Sequence, residues 1–438
     1  SGIASRFGRP LAMLSFALNY VIAGDFVAGH LKAVNLGIHL LTGLLAAALF
    51  QRLLRAPAMP ALSRDQIAVL SLFAAAIWLL HPLHVSTVLY TVQRMAQLST
   101  LLVVAGLLLF THRRLVWAER GANPGELVAT ALWVLMFTLL AFLSKENGLL
   151  LPGLLVVVEV TLFRGAWRGG SCRRLYLSCW ACLLLAPLGI LISLFVAPEL
   201  IHGLYGGREF TLEERLLTQG RMLWQYVTWI LLPNISDMGF FHDGVVVSAG
   251  MLAPFTTLSS LVAWAAVAVL AFLWRKRFPL LLFCLLFFLV AHSMESTVIP
   301  LEMVFEHRNY LPSIAMCLLL PVVLFQLVER LQRPRFRVVI ASILVTLSVL
   351  LLLRVSAWSD EFSLARNNVV NHEHSPRAHF FYGNVLFRQF REAKSGGVDE
   401  LTERDLAVAS RQHFLRAHEL DGRELAPLVM LYQIDTVY

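Results

Sequence analysis

Residues 127–148, LVATALWVLMFTLLAFLSKENG, hold eighteen consecutive uncharged residues and then, abruptly, Lys145 and Glu146. A helix needs roughly 17 to 25 apolar residues to cross the hydrocarbon core of a bilayer. The run therefore reads as a transmembrane span over 126–143, with the polar turn Ser144-Lys145-Glu146-Asn147 at its mouth. The same reading carried outward in both directions gives ten candidate spans, at 34–52, 66–83, 92–111, 126–143, 148–163, 175–197, 253–274, 278–297, 310–329 and 337–355. Composition agrees: 58% of the 438 residues are hydrophobic and only 15% charged, and the mean hydropathy is +0.69. A soluble domain of this length needs a more charged surface. The expected fold class is all-α, a polytopic bundle of membrane helices.

Basic residues mark alternate connections. Arg52, Arg55 and Arg64 fall in the first, Arg113, Arg114 and Arg120 in the third, and Arg164, Arg168, Arg173 and Arg174 in the fifth. Arg275, Lys276 and Arg277 follow, then Arg330, Arg333, Arg335 and Arg337. By the positive-inside rule these loops are cytoplasmic. The net charge of +8 thus sets orientation and does not point to nucleic acid. Five cysteines give no disulfide framework, and Cys179 and Cys182, inside an apolar run, read as packed thiols.

The alternation holds only if 198–252 stays outside without crossing. Its stretch 217–232 carries Gln219, Arg221 and Gln225 and ends at Pro233. It reads as an amphipathic helix in the outer interface, anchored by Trp224, Tyr226 and Trp229. Residues 9–24 read as a similar interfacial segment. The first full span then begins outside, so residues 1–33 are external, and a further span is expected upstream of Ser1. Residues 1–355 form the membrane domain, and the tail 356–438 is mixed, charged and external. In the tail, helices are expected over Ser375–Arg391 and Leu406–Leu420, and Ala378, Tyr382, Gly383, Asn384, Phe414, Ala417 and Asp421 suit one tetratricopeptide-like helix pair.

Charged groups at membrane depth are costly and mark function. Here they gather at the outer ends of spans: Asn35 with His39, near Asp25 and His30; His81-Pro82-Leu83-His84 with Gln93-Arg94-Met95; Ser144-Lys145-Glu146-Asn147; and Glu302 to Tyr310. Arg208, Arg215 and Arg221 in the long loop read as snorkelling side chains. His39 either bonds a neighbouring helix or touches a ligand, and Glu159, near a cytoplasmic helix end, calls for a local polar partner. Arg94, Lys145 and Arg308 are different, because three helix ends on one face each bring a cation beside polar groups. Such convergence suits an anionic ligand, with phosphate at a membrane interface the obvious class. His84, Gln93, Glu146, Glu306, His307 and Tyr310 flank the three cations as supporting residues, with Glu146 and Glu306 orienting them.

The segments RPLAMLSFALNY (9–20), NLGIHLL (35–41), HPLHV (81–85), QRM (93–95), LSKENG (143–148) and EHRNYLP (306–312) occur in an order that resembles the TMTC family, the transmembrane and tetratricopeptide-repeat proteins, and especially its bacterial relatives. The likeness runs from residue 9 to about 430. It implies a GT-C glycosyltransferase that moves a sugar from a polyprenyl phosphate to an acceptor, a protein hydroxyl, on the non-cytoplasmic side. Lys145, Arg94 and Arg308 would then bind the donor phosphate, and a carboxylate would deprotonate the acceptor, with inversion at the sugar. In relatives the acidic catalytic motif precedes the RPL segment, so the catalytic residue is expected upstream of this chain, and Asp25 is a poor substitute. The resemblance implies a polyprenyl-phosphate sugar as donor substrate and does not show a metal to be needed, which leaves a divalent metal open. It implies partners in membrane lipid and in a protein held by the repeat-like tail, no nucleic acid, and a bacterial inner membrane with its active face and tail periplasmic. A lipid-linked sugar transporter, which would show internal repeats and polar groups at mid-membrane, and a non-catalytic scaffold presenting its tail are the competing classes.

Overall fold

Apolar length decides which helices can cross a bilayer, and local capping decides where they begin. In the computed structural model, which describes residues 8–167, 205–328, 333–396 and 400–437 with Tyr176 and Gly203, the chain is all-helical, without a strand among the described residues. Among the described residues six helices are long and apolar enough to span: Ala28–Leu53, Thr91–Arg120, Pro124–Ser144, Glu146–Phe163, Thr256–Leu273 and Arg335–Ala357. A seventh is broken, Arg64–Leu79 and Pro82–Leu89 meeting at 47°. Together they make a multi-pass membrane protein. Leu44, Leu132, Val262 and Leu352 on these helices are exposed, a pattern that water would penalise and lipid accepts.

In chain order the α-helices are α1 (Pro10–Ala23), α2 (Ala28–Leu53), α3 (Arg64–Leu79), α4 (Val85–Leu89), α5 (Arg94–Arg120), α6 (Pro124–Ser144), α7 (Leu151–Val158), α8 (Leu212–Leu231), α9 (Thr256–Leu273), α10 (Pro279–His292) and α11 (Ser313–Val328). Then come α12 (Arg333–Ala357), α13 (Glu361–Asn371), α14 (Pro376–Gly396), α15 (Glu400–Leu420) and α16 (Ala426–Val437). Ser63 with Gln66, Asn123 with Glu126 and Thr211 with Glu214 form reciprocal capping boxes at α3, α6 and α8, which satisfy amides that the first helical turn leaves without partners.

Three expectations need correction. The span expected over 66–83 stops as an α-helix at Leu79 and turns through His81 and Pro82, because proline has no amide to continue the ladder. The span expected over 278–297 ends at His292, so Ser293–Glu295 lie in the loop that follows. The amphipathic helix of the long loop is α8, but Tyr226 and Trp229 are buried in protein. Trp224 donates its indole N–H to the Ser260 carbonyl at 3.0 Å, so these rings are packing residues and not lipid anchors. The span over 175–197, Cys179, Cys182, Arg168, Arg173, Arg174 and Arg330 lie outside the described residues.

The chain divides into two units. One comprises Ser1–Pro233, Val247–Leu301 and His307–Ser348; the other comprises Asn234–Val246, Glu302–Glu306 and Val349–Tyr438. The second unit therefore begins within α12, before residue 355, and draws in two loop segments. Its core is Phe387, Phe390, Ala407, Phe414, Leu431 and Ile434. A Cβ on Gly383 would stand 2.8 Å from the Phe414 ring, so glycine there lets α14 and α15 close on each other. Helices α13 and α16 flank the pair, and α16 covers apolar surface that two helices alone would expose.

Candidate functional site

The turn that ends α6 is a sharp reversal. Lys145 leaves the helix with φ −159° and ψ 147°, while its amide still donates to the Ala141 carbonyl at 2.9 Å. The chain then winds into the 3-10 turn Glu146–Leu150, and Gly148 presses on the α6 backbone. A Cβ at Gly148 would stand 2.2 Å from the Ala141 carbonyl carbon, so a side chain there would force the turn apart. Lys145 is thereby held, buried, at the junction of two membrane-length helices.

The other wall comes from the loop between α10 and α11. Tyr310 anchors it: its hydroxyl lies 2.8 Å from His39 Nδ1, and its carbonyl accepts the Trp78 indole N–H at 3.2 Å. Ser313, the first residue of α11, also accepts from Trp78, at 3.1 Å, and lies 3.3 Å from His84 Nε2. The His84 and Tyr310 rings meet edge-on with centroids 5.1 Å apart. This interior cluster accounts for His39, which bonds neighbouring elements, and it fixes the turn that carries His307 and Arg308.

Lys145, His307 and Arg308 line one small recess, with Asn147 and Tyr310 also in its wall. Lys145 Nζ donates to Glu295 Oε1 at 2.7 Å, and both side chains are buried. Burial alone would raise the pKa of Glu295, but Lys145, then Arg308 and His307, outweigh it and hold the carboxyl below its usual range. Desolvation, with Lys145 and Arg308 adding to it and Glu295 opposing, keeps His307 well below the ordinary histidine value. The imidazole is thus neutral at pH 7. The recess is cationic and offers donors from two separate walls, an arrangement suited to holding a phosphate or carboxylate.

Arg94 does not join it. Its Nε donates to Asn35 Oδ1 at 2.7 Å, Nη1 to the Ser15 carbonyl at 3.1 Å and Nη2 to the Leu31 carbonyl at 3.0 Å. The guanidinium also lies 4.4 Å from the centre of the Phe16 ring. Arg94 is fully buried and staples α1 and α2 to α5, so the expected cluster of three cations reduces to two. His84 and Gln93 are buried but do not line the recess.

The two expected orienting carboxylates serve other cations. Glu146 pairs with Arg9 at 2.9 Å and not with Lys145. Arg9 sits at φ 44°, where a side chain is strained, and its two-pronged contact with Glu146 holds it there at the start of α1. Glu306 belongs to the second unit, where Arg354 reaches it at 2.9 Å and His242 Nε2 at 3.6 Å. Both Glu306 and Arg354 are almost fully buried. Of the three loop arginines, only Arg208 is exposed. Arg215 is fully buried and donates to the carbonyls of Glu295 at 2.7 Å and Thr297 at 2.9 Å, and also to that of Leu301. Arg221 donates to Ser248 Oγ at 3.2 Å. Glu159 has the local partner its position called for, with Arg114 Nε 2.6 Å away.

Glu295 is the site residue that sequence reading passed over. Its signal was present, as an acid directly after the apolar run that α10 forms, but it fell inside the span expected over 278–297. Among the described residues no group of three His, Cys, Asp or Glu side chains is arranged to hold a metal ion. Fold and recess define the class: a multi-pass membrane protein with a small cationic recess beside the end of α6. Compared with models of protein families, with curated proteins and with solved structures, the chain has no match.

Proposed function

We propose that this protein is a membrane glycosyltransferase of the GT-C kind, related to the TMTC proteins, that uses a polyprenyl-phosphate sugar as donor. The observation that carries the reading is the meeting of Lys145 and Arg308 in one recess at the junction of membrane-length helices. A lipid phosphate docks at such a depth, with its chain among the helices and its sugar toward the aqueous side. The acceptor hydroxyl attacks the anomeric carbon as the bond to the phosphate oxygen breaks, and polyprenyl phosphate leaves. Lys145 and Arg308 stabilise the negative charge that grows on that oxygen. The hydroxyl proton passes to a carboxylate. Glu295 and Glu146 are poor choices for that base, since each is already engaged by a cation. Displacement in one step inverts the sugar. The helix pair α14 and α15 is read as tetratricopeptide-like, a surface for a protein acceptor or partner, and the active face and tail as periplasmic in a bacterial inner membrane.

The test is transfer of labelled sugar from a polyprenyl phosphate by the purified full chain. Lys145→Gln and Arg308→Gln should each lower the rate by roughly 10²–10³, the loss seen when one donor to a developing oxyanion is removed. Transfer that survives both substitutions at the wild-type rate would refute the reading.

A further inference from the structure

We infer that Glu295 is a built-in competitor for the anion of the recess, occupying Lys145 until a phosphate takes its place. The inference rests on the reading of Lys145 and Arg308 as a phosphate site. Its first support is geometric. Glu295 Oε1 accepts from Lys145 Nζ at 2.7 Å, the bond a phosphate oxygen would make. The other oxygen, Oε2, is buried and accepts no hydrogen bond among the described residues, so the carboxylate is tied on one side only. A second support is the backbone. Arg215 clamps the carbonyls of Glu295 and Thr297, so an exchange can fall on side-chain rotation while the main chain stays in place. A third is electrostatic, since Lys145 and Arg308, the two cations of the recess, both act on the Glu295 carboxyl.

The consequence is a site whose charge is compensated when empty. A buried lysine without a partner is costly, and Glu295 removes that cost. Once phosphate enters, two anions share one wall and repel, which weakens holding of the more highly charged phosphate product and favours its release.

Equilibrium binding of a short-chain isoprenyl phosphate and of inorganic phosphate to the full chain in detergent tests this, with wild type and Glu295→Gln compared. Glutamine keeps the shape and can still accept from Lys145 but carries no charge. Affinity for the isoprenyl phosphate should rise at least about tenfold, with a smaller rise for inorganic phosphate. An equal rise for both keeps the competitor role and makes free phosphate the ligand. Unchanged or weaker binding shows that Glu295 only positions Lys145 and overturns the inference. If neither phosphate binds either protein, the phosphate reading itself fails. Should Glu295→Gln not fold, Glu295→Asp shortens the reach to Lys145 and should also raise affinity, and a loss there overturns the inference equally.

Discussion

Arg94 and Lys145 carry the same charge at the ends of consecutive long helices, yet their surroundings divide their roles. The Arg94 guanidinium is used up on Asn35 and two backbone carbonyls, whereas Lys145 has one carboxylate partner and a recess beside it. Arg94→Leu should therefore lower the melting temperature of the full chain in detergent, because each stranded buried acceptor costs about 1–3 kcal/mol. Lys145→Gln combined with Glu295→Gln, which removes both buried charges together and strands neither, should leave melting nearly unchanged. Equal melting of both variants would mean that Arg94 is not a structural staple. Charge at the end of an apolar run was enough to single out Lys145, Arg94 and Arg308 in the sequence. It could not separate them, since partners such as Arg9 and Glu146, 137 positions apart, are decided by packing between helices.

Helices were the most legible level, because hydrophobic length and capping residues act locally. Long spans such as Pro124–Ser144 fall where the apolar run sets them, while the break at His81 follows from Pro82, a local signal that the length of the apolar run outweighed. In the tail, α14 and α15 meet through His379 and His413, whose Nδ1 atoms lie 2.9 Å apart, so one must donate and the other accept. Burial, then the neighbouring His379, pushes the pKa of His413 down to about 4 from 6.5. Above 6.5 the ring is neutral in folded and unfolded chains and the contact is fully present. Between 6.5 and 4 the unfolded chain takes up a proton that the folded one refuses, so stability falls as pH falls. Hydrogen exchange of α14 and α15 amides in the full chain should show less protection at pH 5 than at pH 7. His413→Leu should flatten that dependence, and protection that does not change between the two pH values would refute it.

At the scale of the whole molecule, apolar exposure on membrane-length helices and the gathering of polar groups at span ends make one pattern. The segment Asn234–Val246 belongs with Val349–Tyr438 in one unit, where Phe240 donates its amide to Asn368 Oδ1 at 2.6 Å and Met238 accepts from Arg354 at 2.7 Å. Such contacts between loop and tail are what the alternation of basic loops calls for if both lie on one side of the membrane. The charge pattern led to the expectation of a shared side. It could not reveal that the second unit starts inside α12, because the apolar run of that helix continues without a break past Ser348.

The central claim is that Lys145 and Arg308 together hold a lipid-borne phosphate. Titration of a fluorescent short-chain polyprenyl phosphate against the full chain, Lys145→Gln and Arg308→Gln tests it most directly. The account predicts that each substitution weakens binding at least about tenfold, with each variant still folded, as a cooperative melting transition shows. Wild-type affinity in either variant would contradict it.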